Sequence, residues 1–76
     1  MPNTRSEAHE RLGAAIRRSR REAGLTIEQL GFRASLSPRY VAGVERGEIN
    51  AALENLLSLV GALDRRLADI AADAAI

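Results

Sequence analysis

The sequence contains no cysteine and a single histidine, His9. These absences exclude disulfide bonds, thiol chemistry and the usual zinc sites, which take their ligands from Cys and His. With 76 residues the chain is long enough for one compact domain. A domain of this size buries only about 60% of the surface of its unfolded chain. Association is the source of stability that remains without disulfides or a metal, so we expect an oligomer.

Long apolar runs are also missing, because no stretch approaches the roughly 20 residues that span a membrane. The first residues, MPNTRS, lack the apolar segment of a signal peptide. We therefore expect a soluble, cytoplasmic protein with no membrane partner. The chain has no glycine-rich phosphate loop, no cluster of metal ligands and no Ser/His/Asp set. These features predict that the protein is not an enzyme and uses no cofactor and no metal.

Lysine is absent as well, since all eleven basic residues are arginine. The planar guanidinium suits phosphate and guanine, although a compositional bias of the source genome would give the same excess. Residues 1–47 carry nine arginines against five acidic residues, a balance of +4. Residues 48–76 carry two arginines against five acidic residues, a balance of −3. This asymmetry predicts one half that faces a polyanion and a second half with another task.

The apolar residues recur at helical spacing, and no segment alternates in the way typical of a strand. Gly24 and Gly47 are stop signals for helices. Thr26 and Gln29 have the spacing of a capping box, and Ser37 followed by proline is a further start signal. We predict an all-α, compact five-helix domain over residues 1–76, with helices at about 5–23, 26–34, 37–46, 51–63 and 67–75.

The segment TIEQLGFRASLSPRYVAGVERG, residues 26–47, has the order helix, tight turn, helix. The turn is expected at Ser35-Leu36-Ser37. Apolar side chains on both sides of it would close a small core: Leu30, Ala34, Leu36, Val41 and Val44. This arrangement leaves the start of the second helix projecting, as in helix-turn-helix proteins that place this helix in the major groove of DNA.

From Leu12 to Ile70 the chain resembles the Cro/repressor-type helix-turn-helix family, also called the XRE family. The matching pieces are LGAAIRRSRREAGLT, EQL, RYVAGVERG and LENLLSLVGALDRRLADI. The resemblance implies a sequence-specific, DNA-binding transcriptional regulator with double-stranded DNA as its partner. It resembles in particular the controller proteins of restriction–modification systems and the small regulators of phage or mobile elements.

The chain departs from the family pattern at five positions. Ile27 stands where glutamine is usual, and Gly31 stands where alanine is usual. Ser35 and Asp64 occupy positions that are often glycine, and Ala51 occupies one that is often proline. Serine in a left-handed turn costs roughly 1 kcal/mol or more relative to glycine. The motif remains, but Ile27 removes a polar group that relatives often use near phosphate.

The resemblance implies DNA contacts at and around the second helix of the motif, the recognition helix. Arg39 lies in its first turn and is expected to pair with guanine, the alternatives being a phosphate contact or a solvated surface arginine. Tyr40 is expected to offer its hydroxyl to phosphate or base, the alternative being a half-buried packing ring. Direct base reading is expected to be sparse, so that DNA shape contributes. The predicted DNA-binding residues are Arg17, Arg18, Thr26, Ser37, Pro38, Arg39, Tyr40, Gly43 and Arg46.

The resemblance further implies an ion pair between Arg20 and Glu45, which links the first helix to the end of the recognition helix. The fourth helix is apolar over more than one face, which predicts a homodimer built on the last two helices. A two-fold dimer sets two recognition helices about 34 Å apart and requires a palindromic operator. The alternative is that these side chains only complete the core of one chain. The predicted interface residues are Leu53, Leu57, Val60, Ile70 and Ala74.

A second function fits the same resemblance, namely an antitoxin-type module that binds a toxin and autoregulates its operon. The acidic, alanine-rich C-terminal part would suit a protein partner. Most such antitoxins need a segment beyond the DNA-binding domain, and here only a few residues follow the fifth helix. We therefore favour the stand-alone regulator.

Overall fold

The computed structural model describes residues 4–76, with side chains from Glu7 onward. Residues 1–3, part of the segment on which we judged the absence of a signal peptide, lie outside the described residues. The described chain forms helices and no strand, which confirms the predicted all-α, five-helix fold. The helices are α1 (Thr4–Glu22), α2 (Ile27–Ala34), α3 (Pro38–Glu45), α4 (Leu53–Ala62) and α5 (Leu67–Asp73).

One core holds the five helices together. Each helix contributes a branched side chain that is fully buried, and burial of such a side chain stabilises a fold by about 1.5–3 kcal/mol. Partly buried leucines of α1, α4 and α5 pack around this centre. The apolar stripe of every helix therefore points to the same place. The fully buried residues are Ile16, Leu30, Val41, Leu59 and Ile70.

The two central helices begin at side-chain caps. Thr26 Oγ1 accepts a hydrogen bond from the Gln29 amide at 3.0 Å, and Gln29 Oε1 accepts one from the Thr26 amide at 2.9 Å. Ser37 Oγ accepts from the Tyr40 amide at 3.0 Å, and Pro38 is the first residue of α3. The capping box at Thr26 and the cap at Ser37 are thus confirmed, and they satisfy amides that a helix start leaves without partners.

The turn between α2 and α3 is sharp because Ser35 is left-handed, with φ 60° and ψ 39°. The Leu36 amide then donates back to the Gly31 carbonyl oxygen at 2.8 Å. Asp64, which follows α4, is also left-handed, with φ 56°. These are the two positions at which the resembled family often has glycine, and both adopt the left-handed conformation that glycine favours.

The predicted dimer interface is wrong for three of its five residues. Val60, Ile70 and Ala74 are only 3%, 0% and 4% exposed, so they belong to the core of the single chain. The short α5 packs against α1 and α4, so that Ile70 and Ala74 on α5 and Val60 on α4 all lie within the core. Leu53 and Leu57 remain at the surface, with 63% and 49% of their area exposed.

Gly13 allows α1 and α3 to approach closely. A Cβ at this position would collide with the backbone carbonyl oxygens of Val44 and Glu45. Backbone atoms cannot move aside as a flexible side chain can, so the helices would have to separate. Gly61, in α4, has no atom within 4 Å of the place where its Cβ would lie.

These two helical glycines make a matched pair for the same substitution. We expect Gly61→Ala to raise the free energy of unfolding by roughly 0.5–1 kcal/mol, because alanine is the better helix former. Gly13→Ala should lower it by about 1–3 kcal/mol through overpacking. Urea unfolding followed by far-UV circular dichroism measures both changes. A stabilised Gly13→Ala variant would show that α1 and α3 are not in close contact.

Candidate nucleic-acid interface

The first turn of α3 projects from the molecule. Ser37, Pro38 and Arg39 are exposed, whereas Val41 and Val44 on the opposite side are buried. The Arg39 side chain makes no ion pair within the described part of the chain. Its guanidinium therefore has its donors available for an external acceptor.

A buried ion pair sets the direction in which α3 points. Arg20 Nε donates to Glu45 Oε2 at 2.7 Å, and Arg20 Nη2 donates to Glu45 Oε1 at 3.1 Å. Arg20 Nη1 donates to the Leu25 carbonyl oxygen at 2.9 Å. One guanidinium thus joins α1, the loop before α2 and the end of α3. Arg20 and Glu45 are 8% and 7% exposed, so both charged groups are held away from water.

The guanidinium of Arg20 is charged although it is buried. The hydrogen bond to Glu45 raises the pKa of Arg20 above its ordinary value, while burial acts in the opposite direction with a smaller effect. The negative charges of Glu45 and Glu28 add to the increase in pKa. Because a buried charge is costly when unpaired, the two partners depend on each other.

A shallow cleft opens beside this ion pair, between α1, α2 and α3. Its lining combines the buried pair with exposed arginines and two apolar side chains. Arg17 and Arg46 are exposed at its edges, while Ile27, the residue that replaces the usual glutamine, is half-buried. Arg46 contacts Glu48 at 3.1 Å, in a pair in which both side chains are more than half exposed. Such surface pairs contribute little stability, so Arg46 can exchange this partner for another anion. The lining residues are Arg17, Arg20, Ile27, Ala42, Glu45 and Arg46.

Arg18 is predicted to bind DNA together with Arg17, but the structure turns the two side chains in different directions. Arg18 Nη2 donates to the Asp73 carbonyl oxygen at the end of α5, at 3.1 Å. Successive helical residues are rotated by about 100°, from 3.6 residues per turn. Arg17 consequently lies beside the cleft, whereas Arg18 is turned to α5. Its cation satisfies the C-terminal carbonyl end of that helix, where positive charge is favourable.

Gly43 likewise does not lie on the exposed side of α3, contrary to the prediction. It is buried, and the Ile49 side chain occupies the place that its Cβ would take. The Gly43 carbonyl oxygen accepts hydrogen bonds from the amides of Glu48 and Ile49, at 2.9 and 3.3 Å. This glycine allows the loop after α3 to fold back against the helix.

Four predicted residues remain, and they lie at the starts of the two motif helices: Thr26, Ser37, Pro38 and Tyr40. The hydroxyls of Thr26 and Ser37 accept from backbone amides and keep their own hydrogens for a further acceptor. Tyr40 is half-buried, and its hydroxyl oxygen accepts a hydrogen bond from Asn55 Nδ2 at 3.0 Å. Sequence reasoning did not single out Asn55, because a contact across fifteen positions leaves no local pattern.

Within the described residues there is no group of His, Cys, Asp and Glu side chains arranged to hold a metal ion. No helix of the described segment has the length and apolarity required to cross a membrane.

Comparisons with known proteins agree with this geometry. A helix-turn-helix family model matches residues 16–70. The chain is similar to the clp gene regulator ClgR from Corynebacterium glutamicum, with 37% identity and a TM-score of 0.88 over 90% of this chain and 87% of that one. It is also similar to the restriction-modification controller protein C.AhdI from Aeromonas hydrophila, with 39% identity and a TM-score of 0.79 over 80% of this chain and 92% of that one. No curated protein sequence matches the chain.

The buried ion pair can be tested against an exposed one by the same substitution. Glu45→Gln leaves Arg20 buried without its anion, so we expect the free energy of unfolding to fall by about 3–5 kcal/mol. Glu7→Gln removes the exposed partner of Arg11, 3.5 Å away. This substitution should change the free energy of unfolding by about 0.5 kcal/mol or less. Urea denaturation gives both values. Similar small effects would mean that the buried pair does not hold α3.

Proposed function

We propose that this chain, which belongs to the helix-turn-helix family, is a sequence-specific DNA-binding transcriptional regulator that uses the first turn of α3 as its recognition element. The observation that carries the proposal is the projecting turn itself, with Arg39 exposed and unpaired at its tip. Two further exposed cations, Arg17 and Arg46, line the cleft between α1, α2 and α3. The similar proteins are a clp gene regulator and a restriction-modification controller protein, and no comparison favours the antitoxin alternative. We also propose that residues 1–76 form a single DNA-binding domain.

The exposed groups divide into two kinds. Arg39 is the side chain proposed to read a base, since its guanidinium can form paired hydrogen bonds with guanine. Arg17 and Arg46 line the cleft beside α3, away from its first turn, and are proposed to bind phosphates. The hydroxyls of Thr26 and Ser37 can add phosphate contacts without carrying sequence information. Pro38 has no donor and offers at most apolar contact with a thymine methyl group.

We further propose that the protein binds a palindromic operator as a homodimer. Leu53 and Leu57 are exposed and lie one turn apart on α4, so they share a face. A small domain without disulfides gains from covering such a face. Two chains related by a two-fold axis through α4 would present two recognition helices to successive major grooves. The correction at Val60, Ile70 and Ala74 leaves a smaller interface than the sequence alone predicted.

The division between base and phosphate contacts can be measured with alanine variants. The probes are a duplex that the protein itself selects from a random library and a scrambled duplex of the same composition. Arg39→Ala should weaken binding to the selected duplex by roughly 1–3 kcal/mol and leave the scrambled duplex almost unaffected. Arg17→Ala should weaken both equally and reduce the slope of log K against log salt by about 1.

Arg18→Ala is the control for these variants. It removes a cation one position from Arg17, but the side chain is turned to α5. We expect unchanged affinity for both duplexes and an unchanged salt slope. If Arg18→Ala flattens the slope as much as Arg17→Ala does, the assignment of the two faces of α1 is incorrect. If the wild-type protein does not prefer the selected duplex, the proposed function itself fails.

The proposed dimer is tested by charges placed on α4. Leu53→Glu combined with Leu57→Glu should convert the dimer to a monomer, because two carboxylates would have to be buried without partners. Ser58→Glu, at an exposed position elsewhere on the same helix, should leave it a dimer. Sedimentation equilibrium at micromolar concentration distinguishes the two states. A wild-type protein that is a monomer both free and on the selected duplex would exclude the dimer.

A further inference from the structure

We propose that Asn55 of α4 is a positioning residue for DNA binding. By donating to the hydroxyl oxygen of Tyr40, it directs the hydroxyl hydrogen outward, where it donates to a phosphate oxygen of the DNA backbone. The inference rests on the proposed function and adds a residue that does not lie on the helix-turn-helix itself. It also gives Tyr40 one role, that of a hydrogen-bond donor to phosphate.

The structure fixes Tyr40 at three points. Its amide donates to Ser37 Oγ at 3.0 Å, and its ring packs against the hydrophobic core. Its hydroxyl oxygen accepts from Asn55 Nδ2 at 3.0 Å, in a part-buried contact between α3 and α4. The oxygen therefore has a set position relative to the recognition turn, unlike the end of a freely moving side chain.

The chemistry of the two groups determines which way the hydrogen points. A tyrosine hydroxyl has one hydrogen to donate, whereas the nitrogen of an asparagine amide can only donate. In their contact the hydroxyl is thus the acceptor, and its own hydrogen must point elsewhere. In the part of the chain with described side chains, residues 7–76, that hydrogen has no acceptor. The structure consequently presents a directed donor whose partner is external.

The position of Tyr40 favours phosphate over a base edge. Tyr40 follows Arg39 by one residue, which rotates it by about 100° around the helix. Its hydroxyl is bound to α4, so it lies on the flank of α3 that faces α4 and not at the exposed tip occupied by Arg39. When a helix enters the major groove, its tip meets the bases and its flanks meet the backbone. A neutral donor to an anionic oxygen makes one of the stronger hydrogen bonds.

A double-mutant cycle separates positioning from simple structural support. Tyr40→Phe removes the hydroxyl, Asn55→Ala removes its orienting donor, and the affinity of each variant and of the pair is measured on the selected duplex. We expect about a tenfold loss for Tyr40→Phe, as for a hydrogen bond to a charged group. Asn55→Ala should cause a smaller loss of about threefold in the wild-type background, because the freed hydroxyl still reaches phosphate part of the time. In the Tyr40→Phe background it should cause none. An equal loss in both backgrounds would overturn the positioning role.

The proposed acceptor is tested by replacing single phosphates of the selected duplex with neutral methylphosphonates. At one phosphate in each half-site, this replacement in the DNA should lower the affinity of the wild-type protein. It should have little effect on the affinity of the Tyr40→Phe variant. If Tyr40→Phe instead relaxes the preference for one base pair and keeps the wild-type response to every methylphosphonate, the hydroxyl reads a base and the proposal is wrong. A wild-type protein that does not distinguish selected from scrambled duplex would reject the proposed function instead.

A measurement on the unmodified protein covers the case in which a variant unfolds. Tyr40 is the only tyrosine in the chain, so the tyrosine doublet in the Raman spectrum reports on this hydroxyl alone. We expect the free protein to show a hydroxyl that accepts from Asn55 and donates to water. In the complex with the selected duplex the hydroxyl should be a stronger donor, because an anionic phosphate oxygen is a better acceptor than water. A spectrum of a strong donor that does not accept, in the free protein, would overturn the orientation assigned to Asn55.

Discussion

The bidentate contact between Arg20 and Glu45 is the constraint from which the arrangement of the site follows. It joins α1 to the end of α3, and its third hydrogen bond, to Leu25, fixes the loop before α2. Gly13 lies seven residues before Arg20, so both face α3 from the same side of α1. Buried ion pairs add little net stability, because desolvation offsets their attraction. Their geometric demands, however, allow few orientations of the two helices. The pair therefore determines the direction of α3. Because Glu45 holds the C-terminal end of this helix, the N-terminal turn points away from the core.

The consequences for the site appear at that free end. Ser37 caps the helix and Pro38 occupies the first helical position, where a missing amide hydrogen costs nothing. Arg39 is then the charged side chain in the first turn, while Val41 and Val44 anchor the opposite side in the core. A left-handed Ser35 makes the approach to this helix sharp enough to keep the first turn exposed. The strain of that serine is a local cost, and the core packing of α2 and α3 maintains it.

The sequence predicted the elements well because their signals are local. Caps at Thr26 and Ser37, and apolar residues at helical spacing, depend only on near neighbours in the chain. The errors share a different physical origin, namely the position of a neighbouring helix. Periodicity shows that Arg17 and Arg18 point about 100° apart, but not that α5 lies against Arg18. In the same way, the sequence shows that Ile70 belongs to an apolar face of its helix. Whether that face is buried within one chain or between two chains depends on how α5 packs. The contact between Tyr40 and Asn55 depends on where the start of α4 lies relative to α3, which no local pattern encodes.

The corrected site changes how the proposed recognition must operate. Gly43 is buried beneath Ile49, and Pro38 has no polar side-chain atom, so α3 offers few groups that can distinguish one base pair from another. One arginine pairing with guanine discriminates by roughly 1–3 kcal/mol, whereas specific regulators separate operator from other DNA by about 4–10 kcal/mol. A single recognition turn therefore does not provide enough discrimination. The difference must come from two sources that do not depend on additional base-reading side chains. In the proposed homodimer a second copy repeats the Arg39 contact at a fixed spacing, and the proposed phosphate contacts, held rigidly by the fold, favour DNA sequences that adopt the required shape. Under the proposed function, residues that fix the phosphate contacts in space contribute to specificity without touching a base, and Asn55 and the Arg20–Glu45 pair are the examples.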